Sequence, residues 1–461
     1  MVTQAIDKIE RAELLKEYEQ KKSQLIHECR EIFKSSDISF SLKKDTSNLF
    51  RRQNEPDKKI DVRSFNKIHY VDPVNLVAEI EGMASYEDIV KATLKFNCLP
   101  TVVPEFKTIT IGGALAGVGI EASSFRFGLV HETIIEYEIL LPDGRIVLCR
   151  PDNEYKELYY AFPNTYGTLG YALKVKVKLI RTKPYVRVTH LYFSDPTIYF
   201  DTLKQYCHQN RENGTLSFIE GVIFDKTDLT ISVGEFVDQV PFISNYKFMN
   251  IYYRSIKAKN VDFLTSEDYI WRWDTDWFWC SKHFYMQNSI FRFLFGKYLL
   301  SSRMYWKIKN FVNRNSFVRS LSEMKYGSTE SVIQDVQIPL ENAEQFLNYF
   351  QNEIGIKPIW ICPIQPYFKV PYSFYKMDPS KLYVNFGFWD LVQSHQFEGY
   401  YNQLIERKVT ELQGNKSLYS SVYYTPKEFW SIYDKELYSK LKEEYDPNHR
   451  LNDLYKKCIG K

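Results

Sequence analysis

The sequence predicts an α+β fold built in two parts, and three observations lead to this prediction. The chain has 461 residues, more than one hydrophobic core usually holds, so two domains are expected. Its first third alternates short strand-like runs with helical ones. From about Tyr185 the runs become longer and more aromatic, so we place a boundary near Thr182.

Composition and charge are those of a folded globular protein. Hydrophobic residues make up 44% of the chain and charged residues 25%. The net charge of +3 is too small to indicate a nucleic-acid partner. The seven cysteines are odd in number and scattered, with no CxxC pair. This pattern argues against a disulfide framework or a metal site and favours a reducing compartment.

The start of the chain is charged throughout. Residues 4–34 are predicted as an amphipathic helix rather than as a signal peptide. No apolar run approaches the roughly 18–20 residues that a transmembrane helix needs. We therefore expect a protein on the cytoplasmic side, either soluble or peripheral to a membrane.

Local signals place the first elements. Residues 59–72 and 76–84 are typical of short strands. Ser85 is expected to cap the next helix, because its hydroxyl can accept a hydrogen bond from the first turn. Pro142–Gly144 supplies the turn of a hairpin. Lysines alternate with apolar residues over Lys174–Leu179, which is the period of a half-buried strand.

Glycine is concentrated in Ile109–Gly128, "ITIGGALAGVGIEASSFRFG". This window contains no GxxxxGK[ST] phosphate loop. Gly117-x-Gly119-x-x-Ala122 matches a dinucleotide-binding fingerprint, but it neither ends a first buried strand nor opens a long helix, so that interpretation is disfavoured. Two interpretations stay open. One is a wide turn with several positive φ angles, whose N–H groups face a pyrophosphate; the other is a structural turn that closes a β-layer.

The same window resembles the FAD-linked oxidoreductases of the vanillyl-alcohol-oxidase (PCMH) type. "PEFKTITIGGALAGVGIEASSFRFGL" is similar to the second FAD-binding segment of the Δ24-sterol reductase branch. "TYGTLGYALKVKVKLI" and "VIQDVQIPLENAEQFLNYFQNEIGIKPIWICP" fit the same branch. The resemblance implies a two-part FAD-binding domain over residues 1–181 and an antiparallel-sheet substrate cap over 182–400. It also implies a helical tail over 401–461 that returns to the FAD domain.

The resemblance also implies the residues that contact FAD. They are Thr46, Ser47, Asn48, Thr110, Gly112, Gly113, Gly117, Gly119, Ile120, Ser123, Ser124, Gly128, Thr168 and Gly170. Many relatives attach FAD covalently through a histidine of the first loop, and "DTSNLFRRQ" contains none. We therefore expect noncovalent FAD.

A flavin enzyme must position its substrate and supply or remove a proton. Tyr383 and Asn385 share one face of "KLYVNFGFW", a strand that the resemblance puts over the flavin, and His283 lies in the aromatic "WRWDTDWFWCSKHFY". These three are candidates for proton delivery or substrate orientation, and each also has a plain structural explanation. Arg272 is expected at a pocket mouth. Glu220 either faces the substrate or is a paired buried acid.

The resemblance implies NADPH-dependent reduction of a C=C bond in a sterol or isoprenoid-like lipid. The alternatives are an FAD-dependent oxidase or dehydrogenase of a polyol, sugar lactone or lipid-linked sugar, and a non-catalytic lipid-binding flavoprotein. Residues 282–319 combine several bases with aromatic residues and contain no acid. This segment is expected either to contact an anionic membrane surface or to form a solvated helix face packed on the cap.

Overall fold

A computed structural model describes residues 2–32, 38–45, 50, 56–212, 214–302, 304 and 329–459, with side chains from residue 11 onward except 297 and 298. The strands are β1 Phe40–Lys43, β2 Lys58–Asp61, β3 Ile68–Asp72, β4 Val77–Glu81, β5 Cys98–Pro100, β6 Ile134–Leu140, β7 Ile146–Cys149, β8 Tyr171–Arg181, β9 Tyr185–Phe193, β10 Phe218–Asp225, β11 Asp228–Val237, β12 Val261–Thr265, β13 Thr329–Pro339, β14 Ile359–Ile364, β15 Tyr383–Gln393 and β16 Asn415–Lys416. The helices are α1 Val2–Ile32, α2 Tyr86–Leu94, α3 Ile111–Gly117, α4 Ser124–Phe127, α5 Lys156–Ala161, α6 Pro196–Asn210, α7 Tyr252–Ser255, α8 Ser266–Ile270, α9 Ser289–Leu299, α10 Leu340–Glu353, α11 Tyr400–Glu411, α12 Pro426–Ile432, α13 Lys435–Tyr445 and α14 Leu454–Ile459.

The first sheet is six-stranded and antiparallel, in the order β3-β4-β8-β6-β7, with β5 also paired to β8. In β8 the valines are buried while the lysines stay partly exposed, so the predicted alternation is confirmed. The hairpin of β6 and β7 is confirmed too, and Gly144 in its turn has a φ of 87°. The predicted cap is present, because Ser85 Oγ accepts a hydrogen bond from Asp88 N at 3.2 Å.

Helix α1 packs on the first sheet. Its residues Tyr18 and Cys29 are buried there. Tyr18 OH donates to Glu138 Oε2 of β6 at 3.1 Å, and Lys21 Nζ lies 2.6 Å from Glu81 Oε1 of β4. The helix is therefore held by apolar contacts and by partly buried ion pairs.

The second sheet is eight-stranded and antiparallel, in the order β12-β9-β11-β10-β14-β15-β13-β16. Side chains alternate across β15, as the two-residue period of a strand requires. Val384, Phe386 and Phe388 pack in one core with α6 and α10, whereas Trp389 packs on the side of the first sheet. The predicted α+β fold with an antiparallel second sheet is confirmed. The division into domains at residues 182 and 400 stays a prediction.

The C-terminal helices contact the first sheet. Helix α13 ends at Tyr445, where the sequence predicts its end. Lys442 Nζ donates to Thr168 O at 3.3 Å, and Arg450 Nη1 donates to Pro142 O at 3.1 Å. Leu451 shares one apolar core with Tyr18. Both ends of the described chain therefore contribute to the core on this side of the first sheet.

Candidate active site

A cavity of about 310 Å³ lies between the two sheets. One part of its lining, the glycine wall, comes from α3, the residues around it and the start of β8. This wall consists of Thr110, Gly112, Gly113, Ala114, Ala116, Gly117, Val118, Gly119, Ile120, Gly170, Tyr171 and Ala172. Another part, the aromatic wall, consists of Phe106, Trp277, Phe278, Trp360 and Trp389.

The glycine window forms a short helix, α3, rather than a wide turn. The expectation of several positive φ angles is wrong: within residues 109–128, only Val118 and Gly128 have them. Glycine is needed instead for close approach. A Cβ on Gly112 would lie 2.8 Å from Gly82 O and 3.1 Å from Ala172 O, so α3 lies directly on the backbone of the first sheet.

The glycine wall fits an FAD molecule that approaches the backbone closely. A Cβ on Gly113 would have one neighbour within 4 Å, the hydroxyl of Thr110. At Gly117 the nearest atoms are those of the Tyr166 ring. Both glycines line the cavity, so a side chain at either position would occupy space that is otherwise left for a ligand.

The structure brings half of the predicted FAD contacts to this cavity. Its lining includes Thr110, Gly112, Gly113, Gly117, Gly119, Ile120 and Gly170. Thr46, Ser47 and Asn48 lie outside the described residues. Their neighbours Lys44 and Phe50 line the cavity.

Four predicted contacts lie behind the lining and bind the protein's own backbone or side chains. Ser123 Oγ donates to Thr101 O at 2.7 Å, and Ser124 Oγ accepts from Glu121 N at 3.1 Å. Thr168 Oγ1 donates to Thr165 O at 2.9 Å. Gly128 has a φ of 70°, and a Cβ there would meet the Glu132 carboxylate. The structure therefore gives these residues a role in shaping the loops around the cavity.

The aromatic wall is a set of packed rings. The Phe278 ring centre lies 4.3 Å from that of Trp389 and 5.5 Å from that of Trp360. Phe106 adds a further edge contact at 5.9 Å. Large rigid rings of this kind bury an apolar ligand with little loss of side-chain entropy.

Asp335 of β13 lines the cavity next to the aromatic wall. Its carboxylate accepts hydrogen bonds from Asn385 Nδ2 at 2.7 Å and from Tyr419 OH at 2.8 Å. Tyr419 OH in turn accepts from Trp389 Nε1 at 3.0 Å. Burial raises the pKa of Asp335 to about 6, against the opposing effect of the two donors. Sequence reasoning missed this residue, although a lone acid between the apolar residues of "VIQDVQIP" was a signal.

The three predicted catalytic candidates are not part of the lining. Tyr383 OH accepts a hydrogen bond from Asp378 N at 2.9 Å. Asn385 donates a hydrogen bond to Asp335, which itself lines the cavity. His283 Nε2 lies 3.1 Å from Asp390 Oδ1 on a partly exposed turn. Their catalytic roles stay predictions, and the geometry favours a positioning role for Asn385 alone.

Arg272 is buried rather than at a pocket mouth, whereas Trp277, Phe278 and Cys280 of the same segment line the cavity. Its guanidinium donates to Glu121 Oε1 and to Glu220 Oε1, each at 2.8 Å. Glu220 also accepts from Trp273 Nε1 at 3.0 Å and from Trp360 Nε1 at 2.9 Å. Glu220 is therefore a paired buried acid and not a residue that faces the substrate. Burying these groups is tolerated because Arg272 bonds to both carboxylates and Glu220 accepts two further hydrogen bonds.

Comparison with known proteins agrees with this geometry. Residues 23–150 match the family described as FAD binding domain. The chain is 27% identical over 408 residues to the Delta(24)-sterol reductase of Rattus norvegicus, covering 84% of this chain and 75% of the relative. It is 26% identical over 406 residues to the same enzyme of Macaca fascicularis, with coverage of 84% and 75%. The Arabidopsis thaliana enzyme is 24% identical over 420 residues, with coverage of 84% and 74%.

The fold, the cavity and the matched domain define an FAD-dependent oxidoreductase of the PCMH type. Its relatives are the Delta(24)-sterol reductases of animals and plants. The resemblance on which the sequence interpretation relied is thereby confirmed.

Within the described ranges, every helix is too short or too polar to cross a bilayer.

Proposed function

We propose that this enzyme binds FAD noncovalently and reduces a C=C bond in a sterol or isoprenoid-like lipid, with NADPH as electron donor. The proposal rests on one observation: the glycine wall and the aromatic wall line the same cavity. The glycine wall suits a cofactor that lies against backbone, and the aromatic wall suits a flat apolar substrate. That the relatives are named as sterol reductases supports the same substrate class.

The residues proposed to hold FAD are those of the glycine wall that the sequence also selects. They are Thr110, Gly112, Gly113, Gly117, Gly119, Ile120 and Gly170. We propose Thr46, Ser47 and Asn48 as further contacts, on the grounds that Lys44 and Phe50 on either side of them line the cavity. FAD, when bound and reduced, supplies a hydride to one carbon of the double bond. The chain itself must exclude water, orient the lipid and protonate the other carbon.

The proposal predicts a specific sequence of colour changes. The purified protein should be yellow, and acid precipitation should release its flavin because no covalent bond holds it. Anaerobic NADPH should bleach the flavin band, and a Δ24-unsaturated sterol should then restore it while the sterol gains two hydrogens by mass spectrometry. The measurement is the visible spectrum at each step.

Two other results would contradict the proposal. If NADPH leaves the flavin oxidised while polyols or sugar lactones bleach it, the enzyme is an oxidase or dehydrogenase of those substrates. A colourless protein that FAD cannot reconstitute would indicate a non-catalytic lipid-binding protein.

We also propose that α9 docks on a lipid bilayer, from which an apolar substrate reaches the cavity. Residues 277–280 supply part of the lining, and the chain then leads through a short turn into α9. This helix exposes Ile290, Phe293 and Leu294 by 68%, 67% and 57%. Two of the bases predicted to bind anionic lipid are paired within the protein: Lys282 with Asp390, and the buried Arg292 with Asp276. Residues 303 and 305–319 and the side chain of Lys297 lie outside the described residues. We therefore base the proposed contact on the apolar side chains of α9.

This docking predicts that Phe293→Glu combined with Leu294→Glu weakens binding to phosphatidylcholine vesicles by about tenfold or more, because each apolar side chain contributes roughly 1.5–3 kcal/mol when buried. Co-sedimentation measures the binding. The matched control is Val74→Glu, since Val74 is 82% exposed in the turn between β3 and β4. Equal binding by the double variant and the wild type, or no binding by the wild type, would contradict the docking.

A further inference from the structure

Three carboxyl groups and one guanidinium lie together beside the cavity. Glu105, Glu121, Glu220 and Arg272 are all buried, with at most 7% of any residue exposed. Arg272 bonds to Glu121 and Glu220 but not to Glu105. The carboxyl group of Glu105 lies near enough to that of Glu121 for the two to interact, and Glu105 lines the cavity.

The number of charges in this cluster requires a proton. Three ionised carboxylates beside one guanidinium would have a net charge of −2 away from water, which is strongly unfavourable, and one proton halves it. Glu220 accepts from Arg272 and from two tryptophan N–H groups, which favours its ionised form and lowers its pKa. Glu121 accepts the other hydrogen bond from Arg272. Glu105 has no direct bond to this guanidinium.

Two orphaned oxygen atoms point to where the proton lies. Glu105 Oε1 and Glu121 Oε2 are both buried, and among the described residues no donor reaches either atom. A proton held between the two carboxyl groups satisfies both. Burial and the Glu121 charge also raise the pKa of Glu105 well above its ordinary value. We therefore assign one shared proton to the pair and place it on Glu105, because Glu121 has the direct bond to Arg272.

We propose that Glu105 is the proton donor to the substrate in the cavity. This inference rests on the proposed reduction of a C=C bond. One alkene carbon takes the hydride supplied by reduced flavin, and the other forms a C–H bond with the Glu105 proton as the O–H bond breaks. The alkene gains two hydrogens, and Glu105 is left as a carboxylate. The Glu105–Glu121 pair regains its proton from water when the product leaves.

The other carboxyl in the lining is poorly suited to this step. Asp335 accepts two hydrogen bonds, which favour its ionised form, and its pKa of about 6 leaves it mostly charged at neutral pH. An ionised carboxylate has no proton to give. Asp335→Asn is therefore the matched comparison, since it removes a carboxyl from the same cavity.

The first test needs no substrate. The infrared spectrum of the purified holoenzyme should contain a band of a buried carboxylic acid, which shifts in D₂O and disappears in Glu105→Gln. The amide of this variant can donate to Glu121 in place of the shared proton, so the fold should be kept, as a thermal melt would check. A difference spectrum without a lost acid band would overturn the inference.

The second test separates the steps of turnover. Glu105→Gln should lower the rate at which substrate reoxidises the flavin by about 100-fold or more, while NADPH bleaches the flavin at nearly the wild-type rate. Glu105→Asp should recover part of the loss. A normal rate in Glu105→Gln, or a larger loss in Asp335→Asn, would overturn the inference. If the wild type reduces no alkene yet the acid band is lost in Glu105→Gln, the proposed reaction fails while the protonated Glu105 stands.

Discussion

Arg272→Met should destabilise the protein by about 3–5 kcal/mol, because it leaves buried carboxylates without their cation. Glu121 and Glu220 each have a direct bond to this guanidinium at 2.8 Å. Methionine fills a similar volume but supplies neither charge nor donors. Urea unfolding followed by tryptophan fluorescence measures the loss, and three of the eight tryptophans, at 271, 273 and 360, lie in or beside the cluster.

Two further variants identify the cause of that loss. Arg187→Met removes a half-exposed arginine that pairs with Glu235, and it should change stability by no more than about 1 kcal/mol. Adding Glu121→Gln and Glu220→Gln to Arg272→Met should recover part of the stability, since the uncompensated charges are then gone. Equal urea midpoints for Arg272→Met and the wild type would contradict the interpretation of this cluster as a matched set of charges.

Gly112→Ala should cost about 1–3 kcal/mol of stability and most of the bound FAD. The added methyl group would approach the Gly82 and Ala172 carbonyl oxygens within about 3 Å, and both belong to backbone fixed in or beside the first sheet. Helix α3 must then move away from the sheet, and the space into which it moves is the cavity. The ratio of flavin to protein absorbance and the urea midpoint measure the two effects.

The neighbouring glycine provides the control. Among the described residues, a methyl group on Gly113 would meet the Thr110 hydroxyl, at 2.9 Å, which caps α3 by accepting from Gly113 N at 3.3 Å. Losing this cap costs about 1 kcal/mol, and the better helix propensity of alanine offsets about as much. Gly113→Ala should therefore stay close to the wild type in stability, whatever its effect on FAD. Similar destabilisation by both variants would mean that glycine is needed in α3 for a reason other than contact with the sheet.

Local signals predicted the elements that depend on neighbours in the sequence. The Ser85 cap, the Gly144 turn and the alternation in β8 each involve a few consecutive residues, and each is found as expected. The glycine window was predicted to face the cofactor, but one reason given for its glycines, several positive φ angles, was wrong. Gly112 serves close contact with the first sheet, which no local pattern of φ angles can indicate.

The buried charges could not be predicted in the same way. Glu121 and Arg272 are 151 positions apart, and Glu220 and Trp360 are 140 apart. Periodicity shows that a position faces inward but not which distant residue meets it. The sequence therefore left Glu220 with two interpretations and offered no partner for Arg272. The acid in the cavity, Glu105, was overlooked because its proton depends on three residues from other segments.

The packing of both chain ends on the first sheet has a consequence for biosynthesis. Strands β3 to β8 leave the ribosome early, yet Leu451 completes the core that Tyr18 begins, and Lys457 lines the cavity. Domains often fold while the rest of the chain is still being made. Here we expect the core on this side of the first sheet to be completed only once residues 451–457 have been made, so that its apolar surface stays exposed while the second sheet is translated. We therefore expect cofactor capture to be a late event, with chaperone protection most important during that interval.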